Sequence, residues 1–172
     1  MRKYVALLRG INVGGRIIKM ADLKACFEDM GFKDVSTLLQ SGNVLFKSDG
    51  KADKLRVKLE LVVGKRFGYD ASILVYSMDE IKKILEGYPF DEKENKFQHY
   101  VIFIDDKRAG ELVGLAPNSS LAERIKQGRG SVYWQVKKGM TLKSEFSKHL
   151  TKAKLKPGST VRNTRTLLKI IK

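Results

Sequence analysis

The sequence predicts an α+β protein of two subdomains, each an antiparallel sheet with helices on one face. Three observations lead to this prediction. The apolar runs "YVALL" and "YVIFI" read as strands, one in each half of the chain. Segments with apolar residues at helical spacing follow them. Short glycine-containing turns separate further strand patterns, and in the first half the resulting order is β-α-β-β-α-β, which is typical of a ferredoxin-like sandwich.

Local sequence patterns predict each element of the first half. Residues 3–9 form the first strand, and the apolar positions between 20 and 30 lie on one face of a helix that Gly31 ends. The segment "DVSTLLQSGNVLFKS" predicts two strands joined at Ser41 and Gly42. A second amphipathic helix over residues 51–67 and a strand over 71–77 complete the pattern.

The second half begins a similar order and ends differently. Its predicted elements are a short helix, a strand, a helix, a hairpin around Gly128 and Gly130, a helix and, after "KPGST", a closing helix. They span residues 78–86, 99–106, 108–116, 122–139, 142–155 and 162–172. We therefore predict a ferredoxin-like subdomain over residues 1–87. A related βαββα subdomain with a basic C-terminal region is expected over residues 88–172.

Charge is the strongest compositional signal. The chain of 172 residues has 34 Lys and Arg against 19 Asp and Glu, a net charge of +15. Residues 101–172 hold 16 of the basic and 5 of the acidic residues, so most of the excess lies there. Such a region can attract polyanions, although a solvated lysine-rich surface is the simpler explanation.

Other totals indicate the class of protein. The single cysteine, Cys26, excludes an internal disulfide framework. The N-terminal apolar run is too short for a signal peptide, and no stretch is long enough to span a membrane. A cytoplasmic protein without membrane partners is expected.

The glycine-rich stretch "LRGINVGGR" is the first candidate site. A strand, a glycine loop and a helix can present backbone N–H groups to a phosphate, and Arg9 and Asn12 add side-chain donors. The residues of this loop match neither the G-x-G-x-x-G motif nor a P-loop. The helical pattern starts only at Met20, five residues after Gly15. The alternative is a surface loop whose glycines adopt positive φ. "QSGN" at residues 40–43 is likewise a hairpin turn or a pair of ligand-binding amides.

The basic residues of the second half are the second candidate. Adjacent strand residues point to opposite faces, so one of Tyr133 and Trp134 is expected outward. An exposed ring could stack a base beside neighbouring cations, and the alternative is packing at the edge of the core. The predicted nucleic-acid-binding cations are Arg124, Arg129, Lys137 and Lys138.

Catalytic and metal chemistry have little support. Cys26 lies on the apolar face of its helix, and His99 and His149 have no neighbours at ligand spacing. Asp105 and Asp106 end a strand, where a solvated turn is the simpler explanation. We predict no metal and no cofactor, and whether the protein is an enzyme stays open.

Several motifs together resemble one family. They are "YVALLRGINVGG", Met20 and Leu23 in "M-x-x-L", "GF-x-DV" at 31–35, "LQSGNV" at 39–44 and "RN-x-x-T" at 162–166. The chain is similar to the uncharacterised bacterial family of domain of unknown function 1697. That resemblance implies two α+β subdomains, the first ferredoxin-like, and no established activity. The family usually has tryptophan where this chain has Thr164.

The resemblance also implies a shared ligand site at the motif positions. Its candidate residues are Arg9, Asn12, Gly14, Gly15, Gln40, Ser41, Asn43, Arg162 and Asn163. The function we expect is binding of an anion, a nucleotide or nucleic acid by basic and amide groups. One alternative is an enzyme acting on a phosphate- or carboxylate-bearing small molecule at the loop from Arg9 to Gly15. Another is an interaction protein without a ligand site.

Overall fold

A computed structural model describes residues 1–12, 15, 17–93, 95–114, 116, 121–152 and 158–172. The chain forms two compact units, Met1–Ile81 and Lys82–Lys172. Among the described residues, no helix is both long and apolar enough to cross a membrane.

The first unit is a four-stranded antiparallel sheet with two helices. Its strand order is β2-β3-β1-β4, the order of a ferredoxin-like sheet, which confirms the prediction. The elements are β1 (Arg2–Arg9), α1 (Met20–Asp29), β2 (Lys33–Leu38), β3 (Asn43–Ser48), α2 (Ala52–Phe67) and β4 (Ser72–Ser77). A further helix, α3 (Met78–Glu86), follows β4, and the division between the units falls within it.

The core of the first unit lies between its sheet and helices α1 and α2. The alternate β1 residues Tyr4, Ala6 and Leu8 face it, as the period of two in a strand requires. Phe27 of α1 contacts Phe46 of β3 edge-on, with ring centroids 5.5 Å apart. Burial of these aromatic and aliphatic groups is the main stabilising term for the unit.

The second unit repeats the same architecture. Its sheet has the order β6-β7-β5-β8, again antiparallel throughout. Its elements are β5 (Phe97–Phe103), α4 (Asp106–Gly114), β6 (Glu123–Gly128), β7 (Ser131–Lys137), α5 (Glu145–Lys152), β8 (Thr160–Asn163) and α6 (Thr164–Ile171). The α+β fold of two related units is thus as predicted, and the second unit has one strand more than the βαββα order.

Some element bounds differ from the prediction. Helix α5 begins at Glu145 rather than at Leu142, because residues 141–143 form turns. The helices predicted over residues 108–116 and 142–155 extend past the ends of α4 and α5. Both extensions include residues outside the described ranges. Helix α6 is capped at its N-terminus, since the Asn163 side chain accepts a 2.9 Å hydrogen bond from the backbone N of Arg165.

The core of the second unit lies between its sheet and helices α4 and α5. Ile102 of β5 and Val132, Trp134 and Val136 of β7 point towards these helices. The Trp134 ring contacts Phe146 of α5, with centroids 5.6 Å apart. Alternate residues of the same strands therefore point away from the helices, and we call that side the outward face of the second sheet.

Candidate functional site

The loop after β1 packs against the turn between β2 and β3. The Asn12 side chain joins them, because its Nδ2 donates to the Gln40 carbonyl over 2.9 Å and its Oδ1 accepts from the backbone N of Ile18 over 2.8 Å. The backbone N of Leu8 also donates to the Gly42 carbonyl over 2.8 Å. The structure thus brings together the two N-terminal motifs that the sequence separates by about 30 residues.

The turn "QSGN" is held by its own amide. Asn43 is fully buried, and its Nδ2 donates to the Leu38 carbonyl over 2.8 Å and to Ser41 Oγ over 3.0 Å. Leu39 and Gly42 have φ of 58° and 72°, the left-handed conformation that reverses the chain here. The Gln40 and Ser41 side chains are exposed.

Both asparagines therefore bind backbone groups rather than point into a cleft. That arrangement supports the structural interpretation of the two motifs. Arg9 is half-buried, and burial lowers the pKa of its guanidinium. Gly15 is exposed with φ of 83°, and Gly14 lies outside the described residues.

The remaining two motif residues belong to the second unit. Arg162 lies on β8 opposite Val101 of β5, so its side chain is on the outward face of the second sheet. It is buried, and its Nη1 donates to Thr160 Oγ1 over 2.7 Å and to the Val161 carbonyl over 2.9 Å. Burial lowers the pKa of Arg162 from 12.5 to about 10. Asn163 caps α6, as described above.

The basic residues of the second unit gather where β5 begins and β7 ends. Arg124 of β6 pairs with Gln135, and Lys137 of β7 pairs with Phe97 of β5, all on the outward face. The Arg124 guanidinium lies over the Phe97 ring, 5.7 Å from its centroid. The half-buried Phe97 and the exposed cations around it form a surface that we call the basic edge. Its residues are Lys96, Phe97, Arg124, Lys126, Lys137 and Lys138.

The outward face of the second sheet is electrostatically one-sided. Its strand residues include the cations Arg124, Lys126, Lys137 and Arg162 and no carboxylate. The buried Glu123 of β6 lies on the opposite face, where it accepts hydrogen bonds from Trp134 Nε1 and the backbone N of Phe146. A face that carries positive charges and no negative ones attracts an anionic partner more strongly than a neutral one.

The predicted nucleic-acid-binding cations lie in two separate regions of the second unit. Lys137, Lys138 and Arg124 belong to the basic edge, whereas Arg129 is exposed at the tip of the β6–β7 hairpin. Five residues of extended strand separate Arg129 from Arg124, roughly 17 Å. The cations thus follow the length of the edge strand β6.

Tyr133 and Trp134 point to opposite faces of β7, as predicted, with Tyr133 on the outward face, but neither ring is exposed. Trp134 and Tyr133 are both buried, Trp134 against α5 and Tyr133 through a 2.8 Å hydrogen bond from its hydroxyl to the Ile84 carbonyl. The alternative of core packing is therefore what the structure has, because β7 is a central strand covered on both faces. The aromatic ring that meets a cation on this face is the half-buried Phe97, and its place next to Lys96 was the signal available in the sequence.

Among the described residues, no group of three or more His, Cys, Asp or Glu side chains is arranged to hold a metal ion. Cys26 is buried, and burial, opposed in part by Arg66, raises the pKa of its thiol. A thiol in that state is a poor nucleophile.

Comparisons with known proteins agree with the fold. A family model described as a protein of unknown function (DUF1697) matches residues 1–133. None of the curated proteins matches the sequence. A solved structure of the conserved bacterial protein SP0830 from Streptococcus pneumoniae is similar, with a TM-score of 0.84 and 25% sequence identity. The similarity covers 98% of this chain and 96% of that one.

Proposed function

Because this chain belongs to the DUF1697 family, for which no function is described, we propose a function from its own side chains: it binds single-stranded nucleic acid on the basic edge. The observation that carries the proposal is the Arg124 guanidinium over the Phe97 ring, 5.7 Å from its centroid, among exposed lysines. Cations hold the phosphate backbone, and aromatic rings and arginine side chains are both groups on which an unpaired base stacks.

A single strand fits this surface better than a duplex. Stacking on Phe97 or Arg124 requires a base that is not enclosed in a helix. The edge is also not an open sheet platform, because the centre of the outward face is buried at His99, Val101 and Tyr133. Contact is therefore expected along the rim formed by β6 and by the adjoining ends of β5 and β7.

The amide-rich loops of the first unit are a weaker candidate. The Nδ2 atoms of Asn12 and Asn43 both donate to backbone carbonyls, and that of Asn43 also donates to Ser41 Oγ. Arg9, the last residue of β1, is half-buried and already interacts with other groups of the protein. A ligand there would have to replace bonds that already hold the loop.

Fluorescence anisotropy tests the proposal. Labelled 20-nucleotide RNA and DNA strands and a 20-base-pair duplex would be titrated with the full chain at 50–300 mM KCl. Five cations predict a slope of log affinity against log salt of about −3.5 for a single strand. The duplex is expected to bind more weakly than either single strand.

Matched charge variants locate the site. The triple change Arg124→Gln, Lys126→Gln and Lys137→Gln should lower affinity at least tenfold and flatten the slope by about 2. The control is Lys51→Gln, Lys54→Gln and Lys65→Gln in and beside α2, which removes the same charge from exposed positions of the first unit. The proposal fails if no probe binds at 50 mM salt, or if both triple variants lose affinity equally.

A Phe97→Leu variant separates stacking from charge. Loss of the ring should lower affinity for single strands by about 5- to 100-fold while the salt slope is unchanged. An unchanged affinity would leave only electrostatic attraction and contradict the stacking part of the proposal.

A further inference from the structure

Helix α2 of the first unit has apolar side chains on two opposite sides. Leu55, Leu59 and Val63 are buried against the core of the unit, whereas Val57 and Leu61 point away from it and are 60% and 71% exposed. Among the described residues, no other helix or strand has two large apolar side chains that are exposed to this degree. Apolar groups that lie together in water on one helix favour a partner that covers them.

The exposed apolar pair has opposite charges on either side of it along the helix. Asp53 lies one turn before Val57 and Lys65 lies one turn after Leu61, so the four residues follow one another at intervals of four. All four are exposed, and we call them the outer row of α2. Its charged ends are about 18 Å apart. Within the part of the chain that the structure describes, neither Asp53 nor Lys65 has an ion-pair partner.

The outer row is complementary to a second copy of itself that runs in the opposite direction. In an antiparallel pair with its twofold axis level with Leu59, Asp53 faces the second copy's Lys65 and Val57 faces the second copy's Leu61. The twofold axis repeats both contacts, so the interface has an apolar centre and an ion pair at each end. A parallel pair would instead place Asp53 against Asp53 and Lys65 against Lys65, where like charges repel.

The spacing of the outer row suits the commonest way in which helices pack. Side chains at intervals of four form a ridge, and two such ridges fit together when the helix axes cross at about 50° and lie about 8–10 Å apart. Lys58, beside the row, leaves room for this contact. Its Nζ lies 5.4 Å from the centroid of the Phe32 ring and 3.4 Å from the Met30 carbonyl, so the side chain points towards α1. An open groove of about 530 Å³ on this face is lined by Asp53, Lys54, Val57, Lys58 and Leu61.

We propose that two copies of this chain form a symmetric dimer through antiparallel α2 helices, with Val57 and Leu61 at the centre and an Asp53–Lys65 pair at each end. One pair of helices covers less than a standard interface of about 1,600 Å², so the dimer is weak. The net charge of +15 also opposes association of two copies. Because α2 belongs to the first unit, this dimer does not depend on nucleic-acid binding at the basic edge.

Sedimentation equilibrium of the full chain tests for the dimer. The average mass of the wild type should rise from that of the monomer towards twice that value between about 10 µM and about 1 mM protein. Leu61→Gln should weaken association at least about tenfold, since it removes an apolar side chain twice from each dimer. Leu121→Gln is the matched control, because it alters a fully exposed leucine of the second unit and should leave association unchanged.

Charge reversal shows which residues face each other. Asp53→Lys alone gives two contacts between positive charges in the dimer, and Lys65→Asp alone gives two between negative charges. Each variant should therefore associate at least about tenfold more weakly than the wild type. An equimolar mixture of the two variants restores opposite charges at both ends and should form a heterodimer as strong as the wild-type dimer. Asp79→Lys and Lys82→Asp, at exposed positions of α3, are the matched controls and should not change association.

Three results would overturn the inference. A wild type that stays monomeric at about 1 mM would show that the outer row does not pair. Association that Asp53→Lys and Lys65→Asp leave unchanged would place the contact on another surface. A mixture that associates no better than either variant alone would show that these two residues do not face each other. Circular dichroism of each variant distinguishes a lost dimer from a lost fold, and Leu61→Gln carries the test if a charge variant does not fold.

Discussion

The Asn12 side chain donates a 2.9 Å hydrogen bond to the carbonyl of Gln40, and this bond joins the loop after β1 to the turn between β2 and β3. Asn12 itself adopts φ of 56°, a left-handed conformation that asparagine tolerates better than most residues. Its Oδ1 accepts from Ile18, which is buried. One residue thus fixes both the turn and the approach to α1.

The Asn12→Ala variant should be destabilised by about 2–3 kcal/mol, because it loses two hydrogen bonds and places alanine at positive φ. Urea unfolding followed by circular dichroism measures the change. Gln40→Ala is the control: the bond involves the backbone carbonyl of residue 40, so removal of its exposed side chain should change stability by less than about 0.5 kcal/mol. Equal losses in the two variants would contradict this account.

Gly42 and Gly10 form a matched pair for a steric prediction. Both have positive φ, of 72° and 69°. A Cβ on Gly42 would lie 2.5 Å from Ile11 Cγ2 and 3.0 Å from Leu8 Cβ, whereas a Cβ on Gly10 would meet nothing within 4 Å. Gly10→Ala should cost about 1–2 kcal/mol from backbone strain alone, and Gly42→Ala should cost about 1–3 kcal/mol more. Urea unfolding of both variants gives the difference, and equal costs would refute the close contact.

Glu123 is a buried carboxylate that satisfies two donors, Trp134 Nε1 at 3.3 Å and the backbone N of Phe146 at 3.2 Å. Glu123→Ala would leave both donors without this acceptor, so a loss of about 2–4 kcal/mol is expected. Glu123→Gln keeps one acceptor oxygen and should lose less. Trp134 is the single tryptophan, and its fluorescence should shift to longer wavelength in the alanine variant as water reaches the indole. An unshifted spectrum with unchanged stability would show that the carboxylate does not hold α5.

Tyr76 predicts how stability changes at alkaline pH. Burial, reinforced by Glu80, raises the pKa of its hydroxyl from 10.0 to about 12. The unfolded chain therefore loses this proton first, so the contribution of Tyr76 is complete below pH 10 and is lost as pH rises towards 12. Between pH 9 and pH 11 the wild type should lose up to about 1.4 kcal/mol more than Tyr76→Phe. Urea unfolding at the two pH values tests this, and parallel losses in both proteins would show that the hydroxyl titrates normally.

Strand and helix positions in the first unit could be predicted because local patterns and global burial agree there. The alternation of β1 and the apolar stripe of α1 both point to the same core. Strand β8 could not be foreseen in the same way. It has only four residues, "TVRN", and places the charged Arg162 in a buried position while Val161 is 40% exposed. Its pairing with β5 is a long-range contact, and it buries the charged residue and exposes the apolar one, the opposite of what their polarity predicts.

The candidate sites illustrate the same limit. The amides of the N-terminal motifs looked available for a ligand because the sequence does not show which backbone groups they meet. Asn12 and Gln40 are adjacent because β1 pairs with β3. Local sequence patterns do not indicate which strands pair. The burial of Gln135 in β7 could not be predicted either, since an isolated glutamine in a strand is common. Only its position in a central strand makes its burial unusual.

Strand β6 is the outer strand of its sheet, so among the described residues one side of its backbone has no neighbouring strand in that sheet. Such an edge invites another chain to pair with it, and long charged side chains are a common means by which proteins oppose that. Arg124 and Lys126 project from this strand, with Arg129 just beyond it. We therefore expect these cations to oppose pairing between neighbouring molecules, so the same neutralising changes that test nucleic-acid affinity should also increase self-association at high protein concentration.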